Sequence, residues 1–222
     1  MEINKAFITI GLATALLQMP VAADAQHAGS ACCDHGNKTC QQNPLLQKST
    51  LPFGAPDFGR IKETDYLPAI EAAVKQQREN IQKIVDNKAK PTFANTILAY
   101  ENSGVLLENV SNVFFGLCSA HKTPVIADTE KKVTPLLTDL DNEISFNQKL
   151  FERIKYVYDH EYKSLTGEDQ RLTEAIYKGF VRSGAMLSAD KMQRMKQINS
   201  RISDLQQQWG NLLPEATNNA VV

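Results

Sequence analysis

The chain has 222 residues, about one ordinary domain, with 42% apolar residues, 22% charged residues and a formal net charge of −1. Its 24 Lys and Arg against 25 Asp and Glu leave no cationic excess for a phosphate backbone and no acidic excess for a solvated tail, so nucleic acid is not an expected partner. With 11 Gly and 9 Pro, collagenous and low-complexity classes are excluded.

Residues 1–25 read as a secretory signal peptide. Lys5 precedes an uncharged apolar run from Ala6 to Leu17 that is short for a bilayer span, Pro20 ends it, and Ala23-Asp24-Ala25 offers small residues for cleavage after Ala25. A buried amphipathic helix would need a charged face, which the run lacks. Export to the periplasm is therefore expected, with no transmembrane anchor after cleavage. Cleavage removes Lys5, Glu2 and Asp24, leaving a neutral mature chain of 23 basic and 23 acidic residues.

Residues 26–50 carry no apolar period and are rich in Gly, Asn, Ser, Thr and Gln, the composition of a linker. His27, Cys32, Cys33, His35 and Cys40 have the donors for Zn or Cu(I), but adjacent cysteines followed by a long gap fit no common zinc knuckle. In an exported chain, a disulfide from Cys40 to Cys32 or Cys33 is an equal reading. Acylation at Cys32 lacks the Leu-like residue three positions earlier, where Gly29 stands.

From residue 51 onward, Leu51-Pro52-Phe53-Gly54-Ala55-Pro56-Asp57-Phe58-Gly59-Arg60-Ile61 is extended and broken by Pro and Gly. It is expected to pack across the domain surface. The apolar period then becomes helical to the end of the chain. A first helix carries Leu67, Ile70, Val74, Ile81 and Ile84, tolerates Pro68 in its first turn and stops at Asn87 and Pro91. A second, capped by Thr92, carries Ile97, Leu98, Leu106, Val110, Val113, Phe114 and Leu117, with Gly104 interrupting it. A third from about Asp128 carries Val133, Leu136, Leu137, Leu140 and Ile144. A fourth after Asn147 carries Leu150, Phe151, Ile154, Val157 and Tyr158.

The fifth helix opens at Thr166-Gly167-Glu168-Asp169, where the Thr hydroxyl is expected to cap and the acids to favour the positive end of the dipole; it carries Leu172, Ile176 and Phe180. The sixth, capped by Ser188, spaces Met195, Ile198, Ile202, Leu205, Trp209 and Leu212 alternately three and four apart. That is the seam of an antiparallel hairpin, expected to be covered by the fifth helix and to end at Leu213-Pro214. No period-two stretch argues a sheet, so the fold class is all-α.

For chemistry, His160-Glu161-Tyr162-Lys163-Ser164 begins like H-E-x-x-H but has Ser164 where the second imidazole is needed, so it supplies no metal site. His160 and Glu161 read as polar residues at the solvated end of the fourth helix, His121 as a cation behind a helix end, and Cys118 as core. No nucleophile, phosphate-binding or calcium-binding motif occurs. Composition and spacing alone give no catalytic, cofactor-binding or metal-binding residue.

The order of segments resembles a known family. Asn43-Pro44-Leu45-Leu46, Leu51 to Phe58, Ile61-Lys62, Tyr66-Leu67-Pro68-Ala69-Ile70, Pro91-Thr92-Phe93-Ala94-Asn95-Thr96, Leu106 to Val110, Ser111-Asn112-Val113-Phe114-Phe115, Phe180 to Leu187 and Ala216-Thr217-Asn218 resemble the start of bacterial peptidyl-dipeptidases, members of the thimet oligopeptidase and oligopeptidase A family of zinc metallopeptidases. The resemblance spans residues 43–222. It implies a helical wall and lid of a channel, oligopeptide substrates and release of C-terminal dipeptides by one zinc. The family's zinc motif lies beyond the matched stretch, so none of its catalytic or metal-binding residues maps here, and no zinc is expected in this chain. The sequence therefore reads as residues 51–222 of helical peptidase wall behind a leader and linker, truncated and lacking the catalytic part. The competing classes are a self-standing helical module that binds peptides or a partner, and a metal-capture protein using the Cys and His residues of 26–50.

Overall fold

A computed structural model describes residues 43–219, and every regular element among them is helical. The all-α expectation holds. The leader and the Cys/His segment, including His27, Cys32, Cys33, His35 and Cys40, lie outside the described residues.

Helix α1 (Tyr66–Asp86) is the central element, packing on several later helices. Its Ala69, Ile70, Ala73, Val74, Ile81 and Ile84 recur at helical spacing and are all buried. Asn87 turns extended and ends it. The first described residues are docked onto this body. Asn43 is buried and donates from its side chain to the Asp65 carbonyl at 2.8 Å, while Leu45 and Leu46 pack on the core. The end of the segment read as a linker is thus part of the packed body. The stretch after it keeps Leu51, Phe53 and Phe58 exposed, and only Ile61 leans on the core, so little of it packs as expected.

Thr92 and Asn95 close a reciprocal capping box: the Thr hydroxyl accepts the Asn95 N–H at 3.2 Å and the Asn side-chain oxygen accepts the Thr92 N–H at 2.9 Å. A π-helical turn (Phe93–Leu98), a single turn α2 (Ala99–Glu101) and a 3-10 turn (Asn102–Gly104) lead into α3 (Val105–Ala120). Gly104 marks the interruption as expected. A Cβ there would sit 2.7 Å from the Gln77 side-chain nitrogen.

Helix α4 (Pro124–Ser145) starts four residues before the expected Asp128, because Thr123 caps it through the Ile126 N–H and Pro124 is pre-set for the first helical position. Asn147 caps α5 (Gln148–His160) through the Leu150 N–H at 3.0 Å. Helix α6 (Gly167–Ser183) starts after Thr166, but that hydroxyl makes no capping bond, contrary to expectation. Glu168 and Asp169 supply the first-turn charge instead. Gly184, left-handed at φ 99°, ends it with Ala185 N–H reaching back to the Phe180 carbonyl at 3.0 Å.

Helix α7 (Ala189–Asn219) differs most from expectation. It runs through Leu213 and Pro214 rather than breaking there. Proline removes the N–H that would meet the Gly210 carbonyl, and Gly210 is exposed, so water can take that bond. Nor does α6 cover its seam: α7 packs on α4. Helices α1 to α6 share one apolar core centred on Tyr66, Ile70, Ile97, Phe114, Ile126, Leu150 and Ile154, to which no described α7 side chain contributes.

Candidate functional site

Two features stand apart from the core: a polar clamp between α5 and the 87–96 segment, and the outer face of α7.

In the clamp, the Arg153 guanidinium donates to the Asn87 carbonyl at 2.7 Å, the Ala89 carbonyl at 3.3 Å, the Asn95 side-chain oxygen at 3.1 Å and the Thr96 hydroxyl at 3.4 Å. Partial burial favours its neutral form, so desolvation lowers its pKa. Glu161, immediately after α5, accepts the Phe93 N–H at 2.8 Å. Glu161 is therefore not a solvated helix-end residue. Its carboxylate faces backbone across the fold. His160 stacks on Tyr156 at 4.1 Å, with its Nδ1 2.9 Å from the Tyr156 carbonyl, and Ser164 donates to the Glu161 carbonyl. Both would-be metal groups are engaged in holding the chain. Arg153 had one sequence signal: an arginine beside Ile154, inside the apolar stripe from Leu150 to Val157.

His121 caps the end of α3, its N–H on the Leu117 carbonyl. Cys118 is buried as expected, and burial, with the Glu130 carboxylate adding to it, raises its thiol pKa to about 11. Among the described residues, no three His, Cys, Asp or Glu gather at metal-binding spacing, and no helix is long and apolar enough to cross a membrane.

The outer face of α7 is of a different kind. The helix runs antiparallel to α4 through polar pairs: the Thr138 and Ser203 hydroxyls lie 2.8 Å apart, and Asn199 donates to Asn142 at 2.7 Å. Near its start, Lys196 lies over the Phe146 ring and Gln148 donates to the Ala185 carbonyl and the Met192 sulfur. The apolar seam points elsewhere. Ile198, Ile202, Leu205, Trp209 and Leu212 are all exposed, Trp209 by 69%, and Ile202, Leu205, Gln206 and Trp209 line an open groove. Such a contiguous apolar face marks an interaction surface, without a nucleophile or base for chemistry.

Comparison with known proteins shows what this helical body is related to. The chain is 38% identical to dipeptidyl carboxypeptidase of Salmonella typhimurium over 176 residues, which is 79% of this chain and 26% of that protein. It is 37% identical to dipeptidyl carboxypeptidase of Escherichia coli over 172 residues, 77% of this chain and 25% of that one, and 26% identical to oligopeptidase A of the same organism over 176 residues. These relatives are peptidases of the thimet oligopeptidase family, and the chain is similar to a part of them. No protein-family model matches it. It spans about a quarter of the length of the curated relatives it matches, and the family resemblance read from its segments agrees with these matches.

Proposed function

We propose that the chain is the N-terminal channel-wall and lid region of an exported zinc peptidase that releases C-terminal dipeptides from oligopeptides, and that it hydrolyses no peptide by itself. The match to two dipeptidyl carboxypeptidases, over nearly four fifths of this chain but a quarter of theirs, carries the reading. The outward α7 seam supports it, since apolar surface of this kind belongs inside a larger body.

Zinc belongs to the complete enzyme on this reading, and the described residues do not suit it. His160 and Glu161, the nearest approach to a ligand and base pair, are committed to Tyr156 and to the Phe93 N–H. The chain's own share is to shape access for the substrate. Export is supported by the apolar run from Ala6 to Leu17 and the small residues at Ala23 and Ala25.

The test pairs the purified chain with the rest of the Salmonella typhimurium relative, co-expressed as a separate polypeptide. The chain alone, with or without added zinc, is expected to release no dipeptide, and the co-expressed pair to release it. Chelator-sensitive release by the chain alone overturns the reading, and an inactive pair alongside oligopeptide binding by the chain alone supports a self-standing module. N-terminal sequencing of periplasmic material should begin at Gln26. Recovery of Met1 in the cytosol refutes export.

A further inference from the structure

The seam of α7 has a charge on one of its edges. With Met195, Ile202 and Trp209 at one seam position of the heptad and Ile198, Leu205 and Leu212 at the other, Asn199 and Gln206 flank it on the edge beside α4, and Arg194, Arg201 and Gln208 flank it on the open edge. Arg194 and Arg201 are exposed. Among the described residues Arg201 makes no ion pair, although Asp204 follows it by three positions, and the bond of Arg194 goes to Gln197. The open edge is thus cationic and unanswered.

We propose that this seam is covered by a helix from the catalytic part of the same peptidase, presenting an apolar three-four seam flanked by acidic side chains that meet Arg194 and Arg201. This rests on reading the chain as part of a larger peptidase. A second copy fits poorly: antiparallel pairing opposes Arg201 to Arg201, and parallel pairing sets the arginines against uncharged Asn199 and Gln206. Five exposed seam residues are also far short of the roughly 20–30 residues a side of a stable interface between separate proteins. A helix belonging to the same folded body does not bear the full entropic cost of association, so a small seam suffices.

Trp209 is the chain's one tryptophan, so its fluorescence reports on the seam alone. Two synthetic helical peptides with the same apolar seam, one flanked by Glu and the other by Lys, are titrated into the full chain. The Glu peptide should shift Trp209 emission to the blue and bind about tenfold more tightly, which corresponds to about 1.4 kcal/mol. The R194E/R201E double variant, its fold checked by circular dichroism, should reverse that preference. Equal affinity for the two peptides, or a blue shift that grows with protein concentration without peptide, overturns the proposal. A co-expressed pair that releases dipeptides while the peptides bind equally overturns this inference and leaves the peptidase reading standing. An inactive pair with the peptide preference intact overturns that reading and, with it, the source of the helix named here.

Discussion

The Glu161 carboxylate accepts the Phe93 backbone N–H at 2.8 Å across 68 residues of sequence, and Arg153, two turns earlier on α5, holds the carbonyls of Asn87 and Ala89 on the same segment. Helix α5 and the residue that follows it thereby fix both sides of the 87–96 turn.

Loss of Arg153 should therefore cost more than loss of Glu161. Hydrogen bonds to a charged group contribute about 1.5–3 kcal/mol each. R153A is expected to destabilise by about 3 kcal/mol and E161A by about 1.5 kcal/mol. The double variant should cost less than the sum, because both grip one segment. Urea unfolding of the four proteins tests this, and strict additivity would separate the two anchors.

How much of this could be read from the residues depended on how local the cause was. The stripes of α1 and α5, the stop at Asn87, the interruption at Gly104 and the helix start after Asn147 are each set within a few positions, and the structure repeats them. The resemblance to peptidyl-dipeptidases was legible, and the matches to dipeptidyl carboxypeptidases over nearly four fifths of the chain agree with it. The start of α4 was missed although Thr123-Pro124 is a local signal. The cover of the α7 seam and the partner of Glu161 were missed because both are decided by packing between segments far apart, which no periodicity records.

The two close-packed glycines should respond differently to alanine. At Gly184 the left-handed φ of 99° and a Cβ 2.7 Å from the Leu187 side chain both oppose a methyl group, so G184A is expected to cost about 1–3 kcal/mol. At Gly104 φ is −109°, and the nearest atom is the far end of Gln77, which can move. G104A should stay within about 0.5 kcal/mol of the parent in thermal melts.

Stability should fall in alkali in a defined window. Burial raises Cys118 from 9.0 to about 11, and burial with the Asp141 carboxylate raises Tyr100 from 10.0 to about 12. Both groups bind their protons more tightly in the fold than in the unfolded chain. Their contribution is complete below pH 9 and is lost as pH rises through 11 and 12. Urea midpoints between pH 8 and 12 test this. C118A should remove the earlier part of the loss and Y100F the later part.

The purified chain should give a helical circular dichroism spectrum, bind an apolar dye and unfold broadly, because the seam of α7 faces water. Each fully exposed large aliphatic forgoes about 1.5–3 kcal/mol of burial. L205Q/W209Q should suppress dye binding while moving stability by less than about 0.5 kcal/mol. A dye-silent chain with a sharp melt would contradict this.

The contact between α4 and α7 sets a difference in timescale between the parts of the protein. Each Thr138 to Ser203 or Asn142 to Asn199 bond can be exchanged for one to water at a net cost of only about 0.5–1.5 kcal/mol, whereas lifting α1 would strip the whole core. Amides along α7 should therefore trade their hydrogens for deuterium well before those of α1, which makes the last helix a separately opening unit on a body that stays closed beneath it.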